Sequence, residues 1–302
     1  NDAKLGNVSF NLDVDGEGFS LENLNTQIAG EVYGLFYNNY YYSDIAVEGN
    51  IQNKIFNGKL ATKDENIDLT FDGLVDFSQA ENNYDFTANV KKADLNVLNF
   101  ITRDSISQFS GIVTMKMKGT TIDDAYGNIS FKNTLYKNQN SDYYFDDFAI
   151  TSRFENDIRY ISVNSPDIIE GSLKGKFKFN EVQRMLENSL GNIYTNYKAH
   201  DISEGQFIDF NFKIYSRIAE VFYSDLKLAS NTFIRGRVES DAKKFNLLFK
   251  SPQIKLKEQF ANSIQLRLDN KNPLFNTFVE IDSLNTDYYD VADFNLINVT
   301  LK

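Results

Sequence analysis

One five-residue phrase recurs nine times in this 302-residue chain: a bulky apolar residue, any residue, glycine, any residue, a second apolar residue. The glycines are Gly30, Gly49, Gly58, Gly73, Gly111, Gly127, Gly171, Gly175 and Gly236. On an extended strand, residues two apart share a face. The phrase therefore sets glycine on an apolar face between large side chains, as in Phe71, Gly73 and Val75. Glycine inside a strand weakens it and marks a bulge, a bend or a close approach. Its repetition predicts a long apolar sheet face that leaves room for something.

Alternation with period two carries the same message between the glycines. Ile67, Leu69, Phe71, Gly73, Val75 and Phe77 fall on one face, with Asp68, Thr70, Asp72, Leu74 and Asp76 on the other. The contrast returns at 8–14, 84–90, 109–117, 169–179, 208–214, 245–249 and 264–268. One-sided burial of this kind belongs to antiparallel sheet. Turn signals stand at Asp15-Gly16, Asn38-Asn39, 64–66, 81–83, 138–141 and 269–272. Their spacing suits a meander.

Three stretches interrupt the alternation: 93–104, 180–199 and roughly 257–262. They predict one continuous β-groove segment over 1–302. Within it, repeat-like units at 1–93, 105–179 and 205–302 are separated by breaks at 94–104 and 180–200. The second break reads as a helix with Asn180 as N-cap and Glu181 in the first turn. Val182, Leu186, Leu190, Ile193, Tyr194 and Tyr197 form its apolar stripe. We expect it to cap the sheet, with gating or a membrane-surface role as the alternatives.

Net charge is -11, which argues against a polyanion such as nucleic acid as the main partner. The chain has no cysteine, so thiolate catalysis and Cys-ligated zinc are out of reach. The single histidine, His200, has no Gly-x-Ser-x-Gly elbow to serve, and we read it as a surface residue. Asp68, Asp72 and Asp76 read as solvated decoration rather than paired catalytic carboxylates. The segment Asp13, Asp15, Gly16, Glu17 lacks the full register of a calcium loop and reads as a hairpin turn. The cluster Tyr33, Phe36, Tyr37, Tyr40, Tyr41, Tyr42 suits a groove rim or minor core better than sugar stacking. No enzyme, metal or cofactor is expected. No apolar run is long enough to span a bilayer as a helix, and no signal peptide is visible. We expect an excised segment or a mature chain.

A long one-sided apolar sheet can fold on itself as a sandwich or curl into an open trough. Very large single sheets rarely close as sandwiches, and regular breaks suit a trough of repeated units. Hydrocarbon gives such a trough a purpose. Each methylene removed from water is worth about 0.8 kcal/mol, so a sixteen-carbon chain crossing water faces roughly 12 kcal/mol.

Five passages carry a resemblance: Phe71-Asp72-Gly73-Leu74-Val75-Asp76-Phe77, then 84–90 and 92–98, and the later pair 169–177 and 180–190. In texture and order they resemble the TamB (translocation and assembly module) proteins of Bacteroidota-type bacteria, within the AsmA-like, bridge-like lipid transfer group. The resemblance implies a mainly all-β fold, a long twisted antiparallel sheet curled into an open, taco-like groove, with short helical breaks between roughly five-strand units. It implies a periplasmic segment of an envelope-spanning protein. Such a protein conducts phospholipid between inner and outer membrane and supports outer-membrane biogenesis. It also implies an outer-membrane β-barrel partner and an inner-membrane anchor outside this segment. No catalytic residue is carried over. The expected groove-floor residues are Ile67, Leu69, Phe71, Gly73, Val75, Phe86, Val113, Met115, Leu173, Gly175, Phe177, Phe210, Phe212, Leu247 and Leu266. The rival readings are a structural or adhesive β-repeat surface protein and a carbohydrate-binding β-protein.

Overall fold

The structure is a computed structural model and describes residues 5–18, 20, 22–191, 197–241 and 244–299. The fold is mainly β, antiparallel and open, with two short helices among the described residues. By compactness the chain divides into Asn1–Ala149 and Ile150–Lys302, with β9 (Asp142–Glu155) across the boundary.

The first unit is a meander of long strands. They are β1 (Leu5–Glu17), β2 (Asn25–Tyr37), β3 (Tyr40–Gln52), β4 (Ile55–Asp64), β5 (Ile67–Asp76), β6 (Asn83–Asp94), β7 (Ser107–Lys118) and β8 (Tyr126–Asn138). Each pairs antiparallel with the next. Tight turns follow from asparagine. Asn38 and Asn39, with φ of 50° and 62°, supply the two left-handed positions of a two-residue hairpin loop. Asn53 and Lys54 repeat that geometry, although their sequence does not advertise it. Asp15 and Gly16 form no turn: both lie inside β1, with Asp13 beside them on its polar side. Gln27 and Thr26 occupy the register opposite them, so the pairing simply continues.

The second unit comprises β10 (Ile158–Ser165), β11 (Ile169–Lys176), α1 (Phe179–Gly191), β12 (Phe207–Ile214), α2 (Ser216–Phe222), β13 (Leu226–Leu228), β14 (Thr232–Glu239), β15 (Lys244–Leu256), β16 (Gln259–Asp269), β17 (Thr277–Asn285) and β18 (Asp290–Asn298). Strand β12 pairs directly with β14, while β13 prolongs the sheet along the far end of β15.

The breaks differ in kind. Residues 95–106 form a turn-rich loop, not a helix. The second break holds α1, but Asn180 lies inside the helix rather than capping it. Met185, which the apolar stripe omits, is its most buried side chain, whereas Leu190 is exposed. Ile193 and Tyr194 lie outside the described residues. The expected break at 257–262 is only a two-residue turn between β15 and β16, with Lys257 at φ 54°. The unexpected helix α2 stands where alternation lapses after Ile214.

All nine glycine phrases lie on strands or at their ends. The immediate reason for glycine is the neighbouring backbone. At Gly73, φ is 148°, and a Cβ would collide with the Asp85 carbonyl and the Phe86 Cα across the pair. At Gly49 it would stand 2.7 Å from the Asn57 carbonyl oxygen and 2.8 Å from the Gly58 Cα. The space expected for a guest beside these glycines is occupied, at Cβ level, by the next strand. Gly73→Val should therefore destabilise the protein by about 1–3 kcal/mol. Asp72→Ala, one residue away on the exposed face, should stay within about 0.5 kcal/mol. Urea unfolding of both variants measures the difference, and equal stability would refute the backbone explanation.

Candidate functional site

Register pairs align the apolar side chains into rows that cross the strands. In the first unit one row runs Leu12, Gly30, Val47, Leu60, Phe71, Ala88, Val113, Phe131 from β1 to β8. The next runs Val14, Ile28, Gly49, Gly58, Gly73, Phe86, Met115, Ile129. Apart from the exposed Val14, every member of both rows is half-buried. A third row, Ile51, Phe56, Val75, Tyr84 and Met117, is half-buried too. Rows lie about 7 Å apart, and eight strands carry each across roughly 34 Å. Phenylalanine rings cover one another along the floor, with Phe71 and Phe86 centroids 4.9 Å apart. Gly49, Gly58 and Gly73 stand side by side between Ile28 and Phe86, so the middle row dips across β3, β4 and β5.

The second unit repeats the plan. One row is Ile161, Leu173, Phe210, Gly236, Leu247, Leu268. The next is Val163, Gly171, Phe212, Ile234, Phe249, Leu266, Val279, Leu296. All are half-buried except the exposed Leu296.

Sealed packing borders these rows on one side. In the first unit, Leu98 descends from the 95–106 loop to complete a buried cluster with Ile67, Val90 and Ala93. Tyr40 and Tyr42 pack against it, while Tyr33, Phe36, Tyr37 and Tyr41 are exposed. In the second unit, Met185 of α1 covers Ile208, Val238 and Phe245. The helix thus caps the sheet. These two clusters hold eight of the twelve buried apolar side chains among the described residues. Leu173, Phe210, Leu247 and Leu268 of the second unit's first row pack against the cluster under α1, so the rows farther from the caps are the freer part of the floor.

Surface area agrees. The 34.6 kDa chain exposes 18146 Å², against ~13,000 Å² for a compact globule of that mass and ~16,000 Å² for two separate globules of half the mass. A hollow of about 470 Å³ opens on the floor of the first unit, between Tyr84, Phe86, Met115 and Met117 and the loop that carries Ile122.

Of the expected floor residues, Ile67 and Gly175 are buried, the first beneath Leu98 and the second in the row beneath α1. Phe177 leaves the strand and packs its ring 5.2 Å from Phe179. The rest are half-buried. Leu69 abuts the Leu98 cluster, while Phe71, Gly73, Val75, Phe86, Val113 and Met115 lie in three adjacent rows. Leu173, Phe210 and Leu247 share one row, with Phe212 and Leu266 in the next. Leu60, Gly58, Ile234 and Gly236 join them, and the glycine phrase already marked these four.

A carboxylate latches each cap. Asp104 is buried and binds Arg103 Nη2 at 2.6 Å; it also accepts hydrogen bonds from the Tyr136 hydroxyl at 2.7 Å and Gln139 Nε2 at 3.5 Å. The Arg103 contact is the main reason its pKa falls to about 2, against the opposing effect of burial. Glu181 accepts from the Ser203 amide at 2.7 Å and Gln206 Nε2 at 2.7 Å, and its pKa is likewise lowered to about 2. His200 is exposed, with Nε2 2.9 Å from Glu187. Among the described residues no three His, Cys, Asp or Glu side chains gather as metal ligands. No family model, curated protein or solved structure matches the chain.

Folding favours ionised Asp104, so its contribution is fully present above the unfolded carboxyl pKa near 4. It is lost as pH falls toward 2. Asp104→Asn should therefore melt several degrees below wild type at neutral pH, with the gap closing between pH about 4 and about 2. Paired thermal melts across that range test the latch; a gap independent of pH would reject it.

Proposed function

We propose that the half-buried apolar rows form the floor of a groove that carries phospholipid acyl chains, without chemistry, as a periplasmic segment of a TamB-like protein. The single observation behind this reading is the continuity of the rows. In each unit, adjacent half-buried rows cross successive strands beside a sealed cap. A folding core would bury these positions; a solvated face would not be apolar. Side chains that shield one another yet keep a free side can accept hydrocarbon along their whole length. Each methylene so covered gains about 0.8 kcal/mol over water. On this reading the inner-membrane anchor and the outer-membrane barrel partner belong to other parts of the same envelope machinery. The chain then contributes a stretch of conduit between the membranes.

Photo-crosslinkers at Val75 and Leu173, both on floor rows, should capture phospholipid in cells. Crosslinkers at Asp72 and Lys174, on the opposite face, should not. Equal labelling of both faces would defeat the proposal. Val75→Asp supplies an independent check. A charge on an open floor should lower lipid capture while stability changes by no more than about 1 kcal/mol. A sealed core would instead lose several kcal/mol to an unpaired buried charge.

A further inference from the structure

The opposite, charged face of the second unit holds a distinct arrangement. Net charge is unevenly divided along the chain: residues 1–149 carry 11 Lys and Arg against 22 Asp and Glu, a balance of -11, whereas residues 150–302 carry 20 against 20. An anion would therefore meet far less repulsion at the second unit. There, three cations stand on three neighbouring strands: Arg235 on β14, Lys250 on β15 and Arg267 on β16. Arg235 and Arg267 both pair with Leu248. Lys250, two residues beyond Leu248, lies diagonal to both, a separation of about 7–8 Å.

Among the described residues none of the three has a carboxylate partner, unlike Arg237 and Lys213 nearby. Arg237 takes both Asp209 and Glu239, and Lys213 takes Glu170. Arg235 and Arg267 are positioned by aromatic rings instead. Their guanidinium carbons lie 5.8 Å from the Phe233 centroid and 5.7 Å from the Phe278 centroid. Cation–π contact at this range orients the guanidinium and leaves its N–H donors available. Arg267 gives one of them to Gln265 Oε1 at 3.4 Å. The nearby acids are engaged elsewhere. Asp269 accepts the backbone N–H groups of Lys271 and Asn272 at 3.0 and 3.1 Å, and Glu280 accepts from Gln265 at 3.2 Å. Arg235 and Arg267 line a hollow of about 760 Å³ with Asn246, Leu248 and the engaged acids Asp209 and Asp269; Lys250, two residues from Leu248, stands outside the lining.

We propose that this hollow is a binding site for a phosphate-type oxyanion, gripped by Arg235 and Arg267 with Lys250 as a third charge. Two guanidinium forks match an anion with three or four oxygens, and the ammonium adds a point charge. Such an anion could arrive as a soluble phosphoryl compound or as a phospholipid headgroup at a membrane surface. The site is on the face away from the apolar floor and stands whether or not that floor carries lipid.

Pyrophosphate titrated into the protein at low ionic strength, followed by calorimetry, tests the site. A parallel arm uses flotation with phosphatidylcholine vesicles, plain or doped with phosphatidate. Saturable binding is expected in at least one arm, and the arm that binds identifies the source. The double variant Arg235→Gln/Arg267→Gln should weaken it about tenfold or more, the loss of one to two charge-assisted hydrogen bonds. Lys174→Gln/Lys176→Gln removes the same charge from β11 on the same face and should leave affinity nearly unchanged. All four side chains are exposed, so both variants should melt with wild type. Equal weakening by the two variants would reduce the effect to a diffuse field and overturn the site. Absence of binding in both arms would overturn it as well.

Discussion

Strict antiparallel register is the constraint on which everything else rests. A slip of one residue between any two strands would turn a whole apolar set toward the polar face. The rows from Leu12 to Phe131 and from Val163 to Leu296 exist because the one-residue shifts present in four pairs of the first unit, at Leu5–Phe10, Asp68/Leu69, Val90/Ala93 and Ser110/Ile112, all fall outside them. Left-handed asparagines help to hold the register in the tight hairpins, and the glycines hold it within the strands. At Gly73 and Gly49 the neighbouring backbone approaches so closely that a Cβ has no place. Glycine here serves the sheet first. Any room it leaves above the floor is a by-product of that backbone geometry.

Sealed packing is concentrated at two caps. Leu98 and Met185, from elements of different kind, do the same work in their two units: each completes a small buried cluster on the edge of the floor. Their carboxylate latches act through directed hydrogen bonds: Asp104 ties the loop to Tyr136 of β8, and Glu181 ties the helix to the segment that leads into β12. Within each unit, beyond its cap, the apolar rows stay half-open. The sheet is thus stabilised mainly by its ladder and by side-chain pairs along the rows, the unit of stabilisation in antiparallel sheets, with less help from a central core. That division leaves a continuous apolar surface free of a structural duty that would seal it.

The two faces are chemically independent. Side chains of β14, β15 and β16 alternate between the floor, through Ile234, Phe249 and Leu266, and the charged face, through Arg235, Leu248 and Arg267. One backbone ladder therefore supports an apolar surface and a cationic one without either disturbing the other. The acidic excess, confined to the first unit, leaves the second free to present cations without neighbouring repulsion toward anions.

Much of this was legible in the residues alone. Alternation at 67–77 and 208–214 reported which side chains share a face, because that periodicity is a local property of an extended backbone. The glycine phrase located strands and their apolar side for the same reason. Local pattern could not reveal which side chains become neighbours across strands. The alignment of Gly49, Gly58 and Gly73, the burial of Ile67 under Leu98, and the triangle of Arg235, Lys250 and Arg267 each depend on register between distant segments. Nor could it separate a turn at Lys257 from a helix, since a short charged stretch satisfies either until its flanking strands pair. Sequence by itself determined that this chain is a one-sided antiparallel sheet. Tertiary structure alone decided which part of the apolar side is covered, because coverage is set by where loops and helices return, a matter of long-range contact rather than of local period.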